Sequence, residues 1–154
     1  MRLDHHWIAS RIPHRHRMCL LDGVVEWDAA RVICRATSHR DADNPLRAHG
    51  RLGAACGIEY AAQAMAVHGA LLATDGMPPR IGYLTSVREV VLQASRLDDI
   101  EENLEIEALR HSGDGNNILY RFTVRAGQRE LLSGRAIVVL DADRMPFPQT
   151  GDKA

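Results

Sequence analysis

The residues best suited to chemistry are Glu59 and Gln63, which lie four positions apart in a stretch rich in small residues. That spacing puts both side chains on one face of a helix, so the Gln63 amide can hold the Glu59 carboxylate or an ordered water. Burial in apolar surroundings raises the pKa of a carboxyl group, whereas the positive end of a helix lowers it. Glu59 is therefore a candidate general acid. A surface carboxylate at a helix start is the alternative.

A second group is required if Glu59 acts in acid-base chemistry, and histidine is the residue used most often. His68 follows Glu59 by nine residues, which at roughly 100° per residue puts it on the opposite face of the helix. His49 precedes the helix in a polar loop within chain reach of Glu59, and it is the partner that we predict. His39 lies farther back and is a weaker candidate. For both, an exposed loop histidine without a chemical role is the alternative.

Hydrophobic periodicity predicts the elements that position these residues. Apolar or small residues recur every three or four positions over residues 54–74, which predicts one long helix. Compact or alternating apolar runs predict strands over residues 18–25, 31–36, 81–91, 104–110, 118–126 and 131–140. Residues 1–12 are predicted to form an N-terminal arm or short helix, and residues 141–154 a loose tail. Residues 1–154 therefore read as a single domain.

This order of elements predicts an α+β fold, in which one antiparallel sheet of five or six strands wraps around the long helix. The helix is apolar on nearly all sides and must be buried, and its many Ala and Gly residues allow strands to approach it closely. Such a sheet leaves edge strands, and pairing with another subunit is a common way to satisfy their backbone groups.

Composition narrows the classes of function. The chain has 154 residues, of which 45% are hydrophobic and 25% charged, as in an ordinary globular domain. A net charge of -1 and a pI near 6.7 disfavour binding to nucleic acid or to an anionic membrane. No apolar run is long enough to span a bilayer. The three widely spaced cysteines predict reduced thiols in a cytoplasmic protein, without a metal site.

Two motifs resemble those of the 3-hydroxyacyl-(acyl carrier protein) dehydratases, which have the hot-dog fold. The first is Ile12-Pro13-His14-Arg15, followed by an apolar run that ends at Asp22. The second is the segment Gly57-Ile58-Glu59-Tyr60-Ala61-Ala62-Gln63, in which a Glu is followed by a Gln four residues later. The resemblance covers roughly residues 12–140 and is closest to the dehydratase-like proteins of aryl-polyene type pathways.

The resemblance implies a hot-dog fold, a dimer with itself or with another hot-dog dehydratase, and acyl chains carried on the phosphopantetheine arm of an acyl carrier protein. It implies no cofactor. It also implies that His14 and His16 shape the fold and the dimer and do not act chemically. The sequence departs from the family at Pro45, which occupies the position of the catalytic histidine. The family's Pro-Gly pair, whose amide helps to bind the thioester oxygen, is replaced by a segment that contains Gly53 and Ala54.

Three hypotheses follow. The first is dehydration of 3-hydroxyacyl thioesters, with Glu59 and His49 as catalytic groups and Gln63, Gly53 and Ala54 as substrate-binding residues. The second is a non-catalytic or half-site subunit, which binds acyl chains or contributes Glu59 to a site whose histidine comes from a partner. The third is hydrolysis of the thioester by a single helix carboxylate. All three predict the same fold.

Overall fold

A computed structural model of the protein describes residues 2–14, 16–73, 82–114 and 116–140. Six strands form one antiparallel sheet in the order β1-β2-β4-β5-β6-β3. The helices are α1 (His5–Arg11) and α2 (Gly57–Leu72), and the strands are β1 (Gly23–Trp27), β2 (Arg31–Ala36), β3 (Gly82–Leu92), β4 (Leu104–Asp114), β5 (Asn117–Ala126) and β6 (Arg129–Leu140). The predicted α+β architecture of a sheet around one long helix is confirmed.

The side chains of β5 show how the sheet faces α2. Buried residues alternate with more exposed ones along this strand, as expected for a strand with one face on the core. Its inward residues Ile118, Tyr120, Phe122, Val124 and Ala126 are all buried and belong to the main hydrophobic core, as does much of α2. On the other face, Arg31 of β2, Glu107 of β4 and Arg125 of β5 form cross-strand ion pairs. One face of the sheet is thus apolar and the other is charged.

Close approach between α2 and the sheet depends on Gly57, the first residue of the helix. A Cβ atom at this position would lie 2.5 Å from Cδ2 of Leu132 in β6, which is closer than two carbon atoms can pack. Three residues of 3-10 helix, Ala54–Cys56, lead directly into α2. Within the described residues, no helix combines the length and hydrophobicity needed to cross a bilayer.

The N-terminal segment forms a helix that packs into the core. Asp4 caps α1 because its Oδ1 accepts a hydrogen bond from the Trp7 N–H. Trp7, Ile8 and Ile12 are buried in the main core cluster. The short helix predicted within residues 1–12 is therefore present. The predicted tail at 141–154 and the last residue of the predicted helix, Thr74, lie outside the described residues.

The predicted strand boundaries hold well except at the first strand. Strand β2 has the predicted bounds, and β3, β4, β5 and β6 agree at most of their ends. The prediction of a strand over residues 18–25 is wrong for its first half, since β1 starts only at Gly23. The reason is tertiary: the Met18 carbonyl and the Leu20 N–H bond to the side chain of Gln63 and not to a strand.

Strand β3 is an edge of the sheet and is poorly covered. It pairs only with β6, and Tyr83, Leu84, Val91 and Leu92 each expose between 39% and 51% of their surface. One side of α2 is also incompletely covered, since Gly69 is exposed and Ala62 and Ala66 are half-buried. Uncovered apolar surface of this kind is typical of protein–protein contacts.

Candidate active site

Glu59 lies in the first turn of α2, and its side chain keeps 31% of its surface exposed. At this end of a helix the backbone N–H groups point towards the carboxylate, which favours the charged form. The helix therefore presents the carboxylate at the protein surface and not in the core. Solutes can reach it in the single chain.

His14 is the histidine that reaches Glu59. Its Nε2 lies 2.9 Å from Oε1 of Glu59. The side chain is placed by the buried residue Ile12, whose N–H caps α1 by bonding to the Ile8 carbonyl, and by Pro13, at which the helix cannot continue. The structure thus brings the His14 imidazole into contact with the carboxylate, whereas the structural role that the resemblance implies for His14 stays a prediction.

Gln63 joins Glu59 to the segment that carries His14. Its side chain is fully buried, and its Nε2 donates to Oε1 of Glu59 at 3.2 Å and to the Met18 carbonyl at 2.5 Å. Its Oε1 accepts from the Leu20 N–H at 2.9 Å. The predicted contact between Gln63 and Glu59 is present, and the same amide also ties residues 18–20 to the helix.

The contact with His14 decides the charge state of Glu59. The hydrogen bond from His14 lowers the pKa of the Glu59 carboxyl below its usual value of 4.5, and the bond from Gln63 lowers it further. Burial acts in the opposite direction but is outweighed. Burial alone would favour the protonated acid that the sequence makes a candidate. The structure instead gives a carboxylate near neutral pH.

The two nitrogens of His14 have different surroundings. Nε2 faces the Glu59 carboxylate, which is an acceptor, so this nitrogen carries a proton. Nδ1 is enclosed by protein and has no hydrogen-bond partner among the described residues. The side chain as a whole keeps 22% of its surface exposed. Access to the imidazole is therefore from the side that faces Glu59.

The other candidate histidines lie elsewhere. His49 is exposed at a tight turn, where it has a φ of 54° and the backbone groups of Ala48 and Arg51 bond to each other. The side-chain partners of Glu59 are His14 and Gln63, not His49. His39 is buried and bonds to backbone carbonyls, and His68 is buried against Tyr120. Whether His49 takes part in a reaction stays a prediction.

The loop around Pro45 is held in place by hydrogen bonds of the neighbouring residue, Asn44. Pro45 is exposed, whereas its neighbour Asn44 is buried. The Asn44 amide donates to the Ser38 carbonyl at 2.9 Å and to the Tyr60 hydroxyl at 3.1 Å, and its Oδ1 accepts from the Leu46 N–H. This loop, which by resemblance would carry the histidine, is fastened to α2 at the residue next to Glu59.

Gly53 and Ala54 are the residues predicted to bind the thioester oxygen, and their backbone N–H groups differ in whether they are free to do so. The Ala54 N–H already donates to the Ser95 carbonyl at 3.1 Å, so it has no hydrogen left for a substrate. The Gly53 N–H has no bonding partner among the described residues, and a Cβ atom at Gly53 would meet nothing within 4 Å. Gly53 is therefore the better-placed donor of the predicted pair. In the described part of the chain, no group of three or more His, Cys, Asp or Glu side chains could hold a metal ion.

Comparison with known proteins agrees with the fold and identifies a family. A family model described as ApeP-like, ApeP dehydratase, matches residues 6–147. The dehydratase heterocomplex ApeI:P from Xenorhabdus doucetiae is 23% identical, with a TM-score of 0.78 over 86% of this chain and 90% of that chain. No curated protein sequence matches the chain.

More distant solved structures share the fold at lower identity. The PaaI protein of the phenylacetic acid degradation operon of E. coli is 10% identical, with a TM-score of 0.59 over 88% of each chain. A thioesterase from Haemophilus influenzae is 9% identical, with a TM-score of 0.57 over 77% of this chain and 76% of that chain. At these identities the likeness concerns the fold alone, and the predicted hot-dog fold is confirmed.

Proposed function

Because this chain belongs to the ApeP-like dehydratase family, whose model matches residues 6–147, we propose that it removes water from 3-hydroxyacyl thioesters carried on an acyl carrier protein. The observation that carries the proposal is the 2.9 Å contact between His14 and Glu59. Elimination of water needs one group that accepts a proton and another that supplies one. This pair provides both within a single chain, and both side chains are partly exposed.

The charge state of Glu59 assigns the two roles. Near neutral pH the Glu59 carboxylate accepts the proton from C2 of the acyl chain, because its pKa is lowered. The electrons of the broken C–H bond form the C2=C3 double bond, and the C3–O bond breaks. Protonated His14 supplies the proton from Nε2 to the departing hydroxyl, which leaves as water. The proton on Glu59 then passes to His14 across their contact and restores the pair.

Proton removal beside a thioester places negative charge on the carbonyl oxygen, which a hydrogen-bond donor must stabilise. The Gly53 N–H is our candidate for this donor, since it has no partner within the described chain and lies just before the helix that bears Glu59. The open space where a Cβ atom of Gly53 would stand leaves room for the thioester. Gln63 holds Glu59 and is shielded from solvent, so its part in this proposal is to position the carboxylate.

Two kinds of partner belong to this proposal. The first is the acyl carrier protein, which presents the substrate. The second is another hot-dog subunit, either a second copy or a dehydratase homologue, paired along β3. The uncovered Tyr83, Leu84, Val91 and Leu92 support this position. The similar structure from Xenorhabdus doucetiae is described as a dehydratase heterocomplex, which supports a hot-dog partner.

Hydrolysis of the thioester is the second candidate function. An accessible carboxylate can activate water without a histidine, and a thioesterase is among the structures with the same fold. The contact between His14 and Glu59 favours dehydration, because hydrolysis does not need a separate acid for a departing hydroxyl. The same contact weakens the half-site hypothesis, since the chain has its own histidine at the carboxylate.

Mass spectrometry of the carrier protein tests the function. The purified protein is incubated with a 3-hydroxyacyl carrier protein, alone and together with a hot-dog dehydratase homologue that has the family histidine. We expect the acyl carrier to lose the mass of one water with the protein alone, and to remain unchanged with the Glu59→Gln variant. Loss of the whole acyl group would indicate a thioesterase. Turnover only after addition of the homologue would indicate a half-site subunit.

A further inference from the structure

We propose that Tyr60 is a positioning residue, which holds the segment that carries His14 in place through a directed chain of hydrogen bonds from Asn44 through Ser38 to Leu20. The inference rests on the proposed function only for its effect on turnover, because the positioning itself concerns the contact between His14 and Glu59.

The direction of each hydrogen bond in this chain can be worked out. The Ser38 hydroxyl donates to the Leu20 carbonyl at 2.8 Å, which uses its single proton. The Tyr60 hydroxyl, 2.8 Å from Ser38 Oγ, must therefore donate to it. The lone pairs of the Tyr60 oxygen then accept from the Asn44 amide at 3.1 Å. Each hydroxyl in the chain both accepts and donates.

Burial raises the free-energy cost of losing these hydrogen bonds. Tyr60 is fully buried and Asn44 nearly so, and a buried polar group without a partner is costly. Burial also raises the pKa of the Tyr60 phenol, so its proton is retained. Loss of the Tyr60 hydroxyl would leave Asn44 without one acceptor and would free the Ser38 hydroxyl to rotate away from Leu20.

Leu20 connects this chain to the site. Its carbonyl accepts from Ser38 and its N–H donates to Gln63, which itself bonds to Glu59 and to the Met18 carbonyl. Two contacts therefore hold this part of the chain against α2: Gln63 and Ser38 hold it at Leu20, and Glu59 holds it at His14. Release of the Leu20 end gives the His14 end more freedom.

This chain of hydrogen bonds gives the loop around Pro45 a supporting role. The family resemblance places the catalytic histidine at Pro45, but here the neighbouring residue, Asn44, turns its side chain inward to Tyr60. Pro45 itself has no side chain that can act as a base. Through Asn44 and Tyr60 the loop supports the segment that delivers His14 instead.

The test compares two buried tyrosines. Tyr60→Phe removes the hydroxyl from the proposed chain. Tyr120→Phe removes an equally buried hydroxyl, which bonds to His68 at 2.7 Å and has no link to the site. The Glu59 carboxyl is titrated by ¹³C NMR in protein labelled at glutamate, with Glu59→Gln to assign its signal. The titration reports the contact with His14 and does not depend on turnover.

We expect Tyr60→Phe to raise the pKa of Glu59, because His14 is then held less firmly against it, and Tyr120→Phe to leave that pKa unchanged. We also expect kcat to fall about ten-fold in Tyr60→Phe with little change in KM, since misplacement of one reacting group costs rate. Ser38→Ala breaks the same chain of hydrogen bonds and replaces Tyr60→Phe in the test if that variant does not fold. An unchanged Glu59 titration in Tyr60→Phe or Ser38→Ala, or an equal shift in Tyr120→Phe, would overturn the proposal whether or not the protein is a dehydratase.

Discussion

His14 Nε2 lies 2.9 Å from Oε1 of Glu59, although His14 follows the first helix and Glu59 lies in the first turn of the second. Residues 18–20 lie against α2, where Gln63 bonds to both Met18 and Leu20. The contact between His14 and Glu59 is thus supported by backbone hydrogen bonds to one buried amide. Four predictions follow from this arrangement and from the fold around it, and a final measurement tests the pair itself.

The first prediction concerns the electrostatics of the pair. Replacement of His14 by Gln removes the largest cause of the lowered pKa of Glu59, so this pKa should rise towards or above 4.5. A carboxyl group with a lowered folded pKa stabilises the fold above its unfolded pKa, and this contribution is lost as the pH falls through the folded value. NMR titration of Glu59 in both proteins checks the shift. Identical titrations would mean that the contact does not form in solution.

The second prediction concerns the close approach at Gly57. Gly57→Ala should destabilise the protein by about 1–3 kcal/mol, because the new Cβ atom would lie 2.5 Å from Leu132. Gly69→Ala is the matched control, since its Cβ atom would meet nothing within 4 Å and Ala favours the helix by about 1 kcal/mol. Urea unfolding of both variants measures the difference. Equal effects of the two substitutions would contradict the packing described here.

The third prediction concerns acid stability. Burial lowers the pKa of His68 and of His39 below the usual 6.5, so the folded state favours their neutral forms. The unfolded chain binds more protons once the pH falls below about 6.5, and stability should decrease by on the order of 1 kcal/mol between about pH 7 and pH 5. Carboxylates with lowered pKa values act mainly below this range. Urea midpoints measured at several pH values test the effect.

The matched variants for this test are His68→Gln and His111→Gln. His111 is exposed on β4, so its replacement removes a histidine without removing a buried one and serves as the control. His68→Gln should weaken the dependence, whatever its effect on stability at neutral pH. A protein equally stable from about pH 7 to pH 5, or a slope unaffected by His68→Gln, would be inconsistent with neutral buried histidines.

The fourth prediction concerns the uncovered edge strand. If β3 pairs with another hot-dog subunit, a charge at Val91 or Leu84 should weaken that pairing. Trp27 is similarly exposed on β1, at the opposite edge of the sheet, and is the control. Light scattering after size-exclusion chromatography should give a smaller particle for Val91→Glu and an unchanged one for Trp27→Glu. The reverse result would place the interface at β1.

Much of the fold can be predicted from the sequence because its signals are local. The three-to-four-residue period of α2 and the alternation of β5 each reflect one face against one core, and the bounds of β2 were predicted correctly. The segment of residues 18–22 was not, since its backbone bonds to the Gln63 side chain. A pattern of neighbouring residues carries no information about that distant partner.

The site, too, was predicted only where its contacts are local in sequence. Glu59 and Gln63 lie one turn apart on one helix, so their contact follows from spacing alone. His14 comes from another element, and its position depends on how the buried Ile12 and the residues up to Leu20 dock on α2. The available signal was Ile12 before His14 and the apolar run from Met18 to Leu21 after it, which indicates that the chain packs on the core at both places.

The turnover rates of His14→Gln and His49→Gln test the central claim most directly. Each variant is incubated with a 3-hydroxyacyl carrier protein, and loss of water is followed by mass spectrometry. We predict that His14→Gln lowers kcat by about 100-fold or more, which is the usual contribution of a general acid or base, and that His49→Gln stays close to the unmodified protein. Full activity of His14→Gln together with loss of activity in His49→Gln would contradict the assignment of His14 as the partner of Glu59.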